Sequence, residues 1–126
     1  MIFYNLFRHS PEFLELKSGE VLLKEGDVGE VMYVLIEGAA KIECRGMFFA
    51  EIGPGDFVGE LAVIDGSPRL ATTTALTDCK FVEVDRERFH FLVAETPNFA
   101  LEVMRVLAQR LRRTDELRLR ETGKPN

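Results

Sequence analysis

The sequence predicts a mainly β domain, an antiparallel β-roll or jelly-roll-like barrel with helices on both sides of it in the chain. Seven or eight short apolar or alternating segments are separated by turn residues every 6 to 12 positions, which is typical of small antiparallel rolls. The segments at the two ends have helical spacing instead. At 126 residues, 46% of them hydrophobic, the chain has the size and composition of a single folded domain.

The predicted domain, residues 1–126, has three parts. Residues 1–16 are expected to form one or two short helices, because Ser10 followed by Pro11 fits a helix start. Residues 17–85 are expected to form the roll. The predicted strands of the roll include 21–23, 31–37, 41–44, 47–52, 70–76 and 79–84.

Two helices are predicted in residues 86–120. Asp85 is expected to cap the first helix, and Pro97 separates it from the second, which runs to about Arg120. Six residues of the second helix have the 4-3-4-3 spacing that is typical of a coiled-coil seam: Ala100, Met104, Leu107, Leu111, Thr114 and Arg118. This stripe favours a homodimer, and packing of the helix on its own roll is the alternative. The arginines at 110, 112, 113, 118 and 120 alternate with acids, which favours a solvated face over a polyanion site.

Composition narrows the function classes. The net charge of −5 argues against non-specific nucleic-acid binding. Two cysteines, Cys44 and Cys79, are too few for a disulfide scaffold or a zinc site. The chain has neither a secretory leader pattern nor an apolar run long enough to cross a bilayer. A cytoplasmic protein with no membrane partner is therefore expected.

Residues 57–72, which we call the cassette, carry the strongest functional pattern. Gly59 has no Cβ and permits close approach of the backbone, and residues 60–64 fit one helical turn whose free amides favour an anion. Arg69 follows Glu60 by nine residues and has a guanidinium fork suited to a phosphodiester. The two residues are therefore expected either to hold a phosphate and a sugar hydroxyl or to pair with each other on a surface turn.

The cassette resembles the phosphate-binding cassette of the cyclic nucleotide-binding domain family, whose pattern is close to F-x-G-E-L/I-A followed by P-R-A/S-A-T. The matching residues are Phe57, Gly59, Glu60, Leu61, Ala62, Pro68, Arg69, Ala71 and Thr72. The resemblance implies that Arg69 binds the cyclic phosphate, that Glu60 binds the ribose 2′-hydroxyl, and that backbone amides near Leu61 and after Arg69 complete the cradle. Leu70 departs from the pattern, which usually has a small or hydroxyl residue there.

A second, shorter resemblance lies in the last helix. Residues 108–116 resemble the dimer helix of bacterial cAMP-responsive transcription regulators. This implies that Thr114 contacts the adenine amino group and that Asp115 is a contact from the second subunit of a dimer. Such regulators carry a DNA-reading helix-turn-helix after this helix, whereas the chain ends at Asn126, so direct DNA binding is not expected.

The residues that catalysis requires are missing from the pattern. A metal-dependent cupin needs two or three histidines on strands, whereas His9 and His90 fall in predicted helices. No serine or cysteine has a histidine nearby to activate it. We therefore expect no enzyme, no metal and no cofactor.

The sequence thus predicts a sensor domain that binds a cyclic nucleotide and transmits binding through its last helix to an effector protein. The expected ligand is cAMP, with cGMP as second choice, because Leu70 cannot bond the guanine amino group as a hydroxyl there does in the family. The predicted ligand-binding residues are Gly59, Glu60, Leu61, Ala62, Arg69, Leu70, Ala71 and Thr114. The alternative is a structural dimerisation module of the same fold that binds no nucleotide.

Overall fold

The computed structural model describes the backbone of residues 2–121 and the side chains of residues 3–116. Within these residues the chain forms eight strands and four helices. The strands are β1 (Leu14–Leu16), β2 (Val21–Leu23), β3 (Val31–Glu37), β4 (Ala40–Cys44), β5 (Met47–Ile52), β6 (Phe57–Val58), β7 (Thr72–Ala75) and β8 (Cys79–Asp85). The helices are α1 (Ile2–Phe7), α2 (Glu60–Ile64), α3 (Arg86–Glu95) and α4 (Pro97–Glu121).

The strands form two four-stranded antiparallel sheets. We call the sheet with strand order β1-β8-β3-β6 sheet A, and the sheet with order β2-β7-β4-β5 sheet B. They do not close into a barrel, so the β-roll prediction is confirmed and its barrel variant is not.

Sheet A is covered on both faces, which explains the almost continuous burial of β3. On one face Met32 and Val34 pack against the helices, in a cluster that includes Phe3 of α1, Phe89 of α3 and Phe99 of α4. On the other face, the side chains of the alternate residues meet sheet B in a second cluster. That cluster contains Leu23, Leu35, Ala40, Ile42, Ile52, Val58, Ala75, Cys79 and Phe81. A strand buried on both faces is apolar at successive positions rather than alternate ones.

Of the one or two short helices predicted within residues 1–16, the structure contains one, and the predicted helix start at Ser10 and Pro11 is wrong. Only Ile2–Phe7 is helical, and Leu14–Leu16 forms β1, which pairs antiparallel with β8. Ser10 does not cap a helix, since its hydroxyl donates to the Glu12 carbonyl in the connecting segment. Pairing gives backbone hydrogen bonds to the edge of β8, and this gain outweighs the local helical spacing. The roll therefore begins at Leu14 rather than at residue 17.

Most other boundaries agree with the predicted ones. Asp85 caps α3 by accepting a hydrogen bond of 2.8 Å from the Arg88 amide. The predicted strand 70–76 is shorter in the structure, where β7 spans Thr72–Ala75. Before it, Arg69 pairs its backbone with the loop before β3, through bonds of 2.8 Å to Asp27 and from Gly26. Among the described residues, no helix combines the length and apolarity needed to cross a membrane.

Candidate functional site

A cavity of about 590 Å³ lies between the cassette, sheet B and α4. Sheet B forms its floor, the cassette forms one side, and α4 covers it. All eight residues of the predicted ligand-binding set line this cavity, namely Gly59, Glu60, Leu61, Ala62, Arg69, Leu70, Ala71 and Thr114. The fold thus brings together residues that lie up to 55 positions apart in the sequence.

The cassette turns sharply at its start. Gly59 has a φ of +80°, in the left-handed region, and leads directly into the five residues of α2. Arg86 of α3 donates a hydrogen bond of 3.1 Å to the Ala62 carbonyl. Farther along, the side-chain and backbone hydrogen bonds from Ser67 lower the pKa of Asp65, which is exposed. The turn is therefore held by contacts within the cassette and from α3.

Arg69 is a buried cation that has no acidic partner among the residues that the structure describes. It is 8% exposed, and its Nη1 donates to the carbonyls of Val31 at 2.8 Å and Gly59 at 3.3 Å. Among the described residues no carboxylate lies within 4.0 Å of its guanidinium, and its Nε and Nη2 make no hydrogen bond. The alternative in which Arg69 pairs with Glu60 is thus wrong for this structure.

Two glycines make room for the Arg69 guanidinium. A Cβ on Gly29 would lie 2.6 Å from its Cζ and 2.8 Å from its Nε. A Cβ on Gly59 would lie 2.7 Å from its Nη1. Real Cβ atoms are not found this close to other heavy atoms, so the position of Arg69 depends on glycine at both places. Gly29 was not among the predicted site residues.

Glu60 pairs with an arginine of the last helix. Its Oε1 lies 3.1 Å from Nη1 of Arg110, and the two side chains are 8% and 22% exposed. Arg110 Nη2 also donates to the Phe57 carbonyl, and its guanidinium lies 5.0 Å from the centre of the Phe57 ring. Glu60 Oε2 makes no hydrogen bond within the described residues. The Glu60–Arg110 pair connects α4 to the cassette beside the cavity.

Arg110 is a site residue that the sequence interpretation missed. It was grouped with the arginines of a solvated face, whereas it points into the protein. Its position continues the inward stripe of α4, in which Phe99, Val103 and Val106 pack on the core and Arg110 follows at helical spacing. That continuation from an apolar stripe was the available signal.

Thr114 and the leucines of α4 lie over the cavity. The Thr114 hydroxyl donates to the Arg110 carbonyl one turn earlier, at 2.9 Å. Leu107 is half-buried and packs on the core, while Leu111 and Leu70 both line the cavity and are largely exposed. Asp115 is exposed and does not line the cavity.

The predicted dimer seam is only partly exposed. Of its apolar members, Met104 and Leu111 are exposed, whereas Ala100 and Leu107 are half-buried. The side chain of Arg118 lies outside the described residues. The exposed apolar stripe of α4 is instead formed by Leu101, Met104, Ala108 and Leu111. It shares Met104 and Leu111 with the predicted seam, and has Leu101 and Ala108 in place of Ala100 and Leu107. No group of three His, Cys, Asp or Glu side chains in the described part of the chain is placed to hold a metal ion.

Comparison with known proteins identifies the family. The family model described as "Cyclic nucleotide-binding domain" matches residues 13–96. A CRP-like cAMP-activated global transcriptional regulator of Mycobacterium tuberculosis is 33% identical over 107 residues, which cover 81% of this chain and 48% of the regulator. The lysophospholipase nte1 of Neurospora crassa is 33% identical over 106 residues, covering 80% of this chain and 7% of that enzyme. The chain thus spans about half or less of the length of these relatives.

Solved structures agree with the family assignment. A structure of cAMP-bound PfPKA-R has a TM-score of 0.75 and 29% identity, covering 84% of this chain and 36% of that one. The Thermus thermophilus catabolite activator protein has a TM-score of 0.72 and 28% identity, covering 86% of this chain and 55% of its own. With a family model matching most of the chain and a relative at 33% identity, this protein belongs to the cyclic nucleotide-binding domain family.

Proposed function

We propose that this domain is a sensor that binds cAMP in preference to cGMP in the cavity between the cassette and α4. Arg69 binds the cyclic phosphate, and Glu60 accepts a hydrogen bond from the ribose 2′-hydroxyl. The observation that carries the proposal is the buried Arg69, whose charge is met by two backbone carbonyls and by no acid among the described residues. A buried cation is costly unless an anion is paired with it, and a cyclic phosphate supplies that anion.

The free donors of Arg69 support the phosphate assignment. Its Nε and Nη2 make no hydrogen bond with the described residues, and a guanidinium edge of two N–H groups suits two phosphate oxygens. Glu60 supports the sugar assignment in a similar way. Arg110 occupies its Oε1, while its Oε2 remains able to accept from a sugar hydroxyl.

The preference for cAMP rests on Leu70 and Thr114. Leu70 is 62% exposed at the cavity and has no group that bonds the guanine amino group. Thr114 lies on the covering helix, where the family resemblance implies a contact to the adenine amino group. We expect Leu70→Thr to shift the ratio of cAMP to cGMP affinity toward cGMP, and an unchanged ratio in calorimetric titrations would contradict this assignment.

Ligand binding is transmitted through α4 to an effector protein. The Glu60–Arg110 pair connects the cassette to α4, and Arg113 donates to the Phe49 carbonyl at 3.2 Å on the other side of the cavity. A ligand held between these elements shifts the position of α4 only by its difference in affinity for the two positions. Because Arg110 shares Glu60 with the proposed ribose contact, α4 and the ligand are coupled at one carboxylate.

A homodimer formed through α4 is part of the proposal. Leu101, Met104, Ala108 and Leu111 follow 3-4-3 spacing on the exposed side of α4. We expect light scattering to give twice the chain mass of 14.3 kDa for the wild type and the mass of one chain for Met104→Lys. Gln109→Lys, on an exposed position outside this stripe, is the matched control and should stay dimeric. A monomeric wild type at micromolar concentration would contradict the dimer.

Thermal unfolding of nucleotide-stripped protein tests the sensor function. A ligand at a hundred times its Kd should stabilise the fold by about 2.7 kcal/mol, which raises Tm by several degrees in a domain of this size. We expect such a rise with millimolar cAMP and a smaller one with cGMP. No shift with either nucleotide, after stripping is verified by absorbance, would support the non-binding dimerisation module instead.

A further inference from the structure

On the cavity floor, sheet B places one buried hydroxyl, that of Thr73, among Leu23, Ile42, Cys44 and Phe49. Thr73 lies in β7, is 2% exposed and is one of the residues that line the cavity. It is the direct cross-strand partner of Leu23 in β2 and of Ile42 in β4. Directly opposed residues of an antiparallel sheet point to the same face, and Leu23 and Ile42 line the cavity as well. Thr73 therefore presents its side chain between two aliphatic neighbours.

The Thr73 hydroxyl has no hydrogen bond within the described part of the chain. The neighbouring Thr72 differs, because its hydroxyl oxygen accepts from the Glu25 amide at 3.0 Å. No side-chain oxygen that is fully enclosed by the described residues lacks a partner. The unpartnered Thr73 oxygen is therefore one that the cavity reaches, and its bonding capacity is directed to whatever the cavity holds.

We propose that Thr73 is a recognition residue that hydrogen-bonds the nucleoside part of the bound cyclic nucleotide. This inference rests on the proposed function of the cavity. The aliphatic surroundings of Thr73 do not suit the charged phosphate, which Arg69 is placed to bind. They suit a sugar or base, whose faces are apolar and whose edges carry hydrogen-bonding atoms. A hydroxyl both donates and accepts, so Thr73 is able to bond an oxygen or a nitrogen of either kind.

In this proposal, the Thr73 hydroxyl has opposite effects on the stability of the nucleotide-free protein and on nucleotide affinity. Without ligand, a hydroxyl between Leu23 and Ile42 is less favourable than a methyl group of the same size. With ligand, the hydroxyl gains a partner that a methyl group lacks. Thr73→Val, which replaces the hydroxyl by a methyl, should therefore raise or maintain stability and lower nucleotide affinity. A purely structural role predicts the opposite sign for stability, or no change in affinity.

Calorimetric titration with cAMP and cGMP, together with urea unfolding of the nucleotide-free protein, tests the inference. We expect Thr73→Val to weaken binding of the preferred nucleotide by about 5- to 10-fold, the usual effect of one lost hydrogen bond. Thr73→Ser keeps the hydroxyl and should bind within about 2-fold of the wild type. Thr74→Val is the matched control, because Thr74 is a half-buried threonine of the same strand that does not line the cavity. It should bind like the wild type.

The outcomes separate this inference from the proposed function. A wild type that binds neither nucleotide overturns both. A wild type that binds, with a Thr73→Val variant that binds within 2-fold of it, overturns the role of Thr73 alone. Equal loss of affinity in Thr73→Val and Thr74→Val also overturns it, because that result indicates an effect of the strand rather than of the cavity hydroxyl. Weaker binding in Thr73→Val alone, with stability maintained, supports it.

Discussion

The cassette and the last helix each place an arginine on the same cavity, and the two arginines are held differently. Arg110 of α4 has a carboxylate at 3.1 Å, a carbonyl partner and an aromatic ring beneath it. Arg69 of the cassette is more buried, has carbonyl partners and has no acid within 4.0 Å among the described residues. Both side chains make hydrogen bonds with carbonyls, but among the described residues only Arg110 of the two has a carboxylate partner.

This difference indicates separate roles. A balanced pair such as Glu60–Arg110 connects two elements of the chain and keeps the covering helix in position. An unbalanced buried cation is retained against the cost of its own burial, which is typical of a binding site rather than of a structural contact. Variants that remove one arginine or the other should therefore change different observables.

The largest expected effect is that of Arg69→Ala on nucleotide affinity. Removing the cation that faces a desolvated phosphate should cost about 2–5 kcal/mol of binding. The stability of the nucleotide-free protein should hardly change, because Arg69 has no acidic partner to leave unpaired. Calorimetric titration and urea unfolding measure the two quantities. Arg112→Ala is the control, since Arg112 is exposed on α4 and does not line the cavity. Unchanged affinity in Arg69→Ala would refute the phosphate assignment.

Gly29→Ala should have the next largest effect on affinity. The new Cβ would overlap the Arg69 guanidinium and displace it from the position proposed to face the phosphate, so affinity should fall, but by less than in Arg69→Ala. Because the φ of Gly29 lies outside the left-handed region, the effect comes from the contact and not from backbone strain. Gly53→Ala is the matched control, since nothing lies within 4 Å of a Cβ there. Equal affinities in the two variants would show that the position of Arg69 does not depend on Gly29.

The Glu60–Arg110 pair should contribute to the free energy of unfolding, and this contribution should appear as a coupling energy between the two side chains. We expect a double-mutant cycle of Glu60→Gln and Arg110→Gln, followed by urea unfolding, to give a coupling energy of about 1–2 kcal/mol. The figure is below that of a fully buried pair because the arginine side chain is 22% exposed. A coupling near zero would mean that the pair does not hold α4 on the cassette.

The cassette was the part of the site that the sequence predicted best. Its pattern is formed by residues close together in the chain, so it can be recognised without knowledge of the fold. Spacing alone left open whether Glu60 and Arg69 bind a ligand or pair with each other, and the resemblance of the cassette to the family pattern favoured a ligand site; Gly59, Glu60 and Arg69 all line the cavity. The fold class was predicted for a related reason, because turn residues and strand propensity are local properties.

The parts that sequence reasoning missed depend on contacts between distant residues. Gly29 is required by a guanidinium 40 positions later, and Arg110 is turned inward by a carboxylate 50 positions earlier. Leu14–Leu16 forms a strand because it pairs with β8, which lies more than 60 residues later in the chain. Thr73 lines the cavity, whereas the neighbouring Thr72 accepts a hydrogen bond from the amide of the distant Glu25. None of these partners is adjacent in sequence, so local patterns could not reveal them.

The smallest expected effect is that of Arg113→Ala on the free energy of unfolding. This variant compares an exposed arginine of α4 with the more buried Arg110 of the same helix. Arg113 lies one turn after Arg110, donates to the Phe49 carbonyl at 3.2 Å and lies 3.8 Å from Glu116, with side chains 36% and 61% exposed. An exposed pair of this kind contributes about 0.2–1 kcal/mol, because solvent screens both charges. We therefore expect urea unfolding to show a loss well below the Glu60–Arg110 coupling. A loss of equal size would mean that α4 is held by the number of its arginines rather than by the one buried pair. Adding salt provides the second readout, since it should weaken the Arg113 contribution and leave the Glu60–Arg110 coupling nearly unchanged.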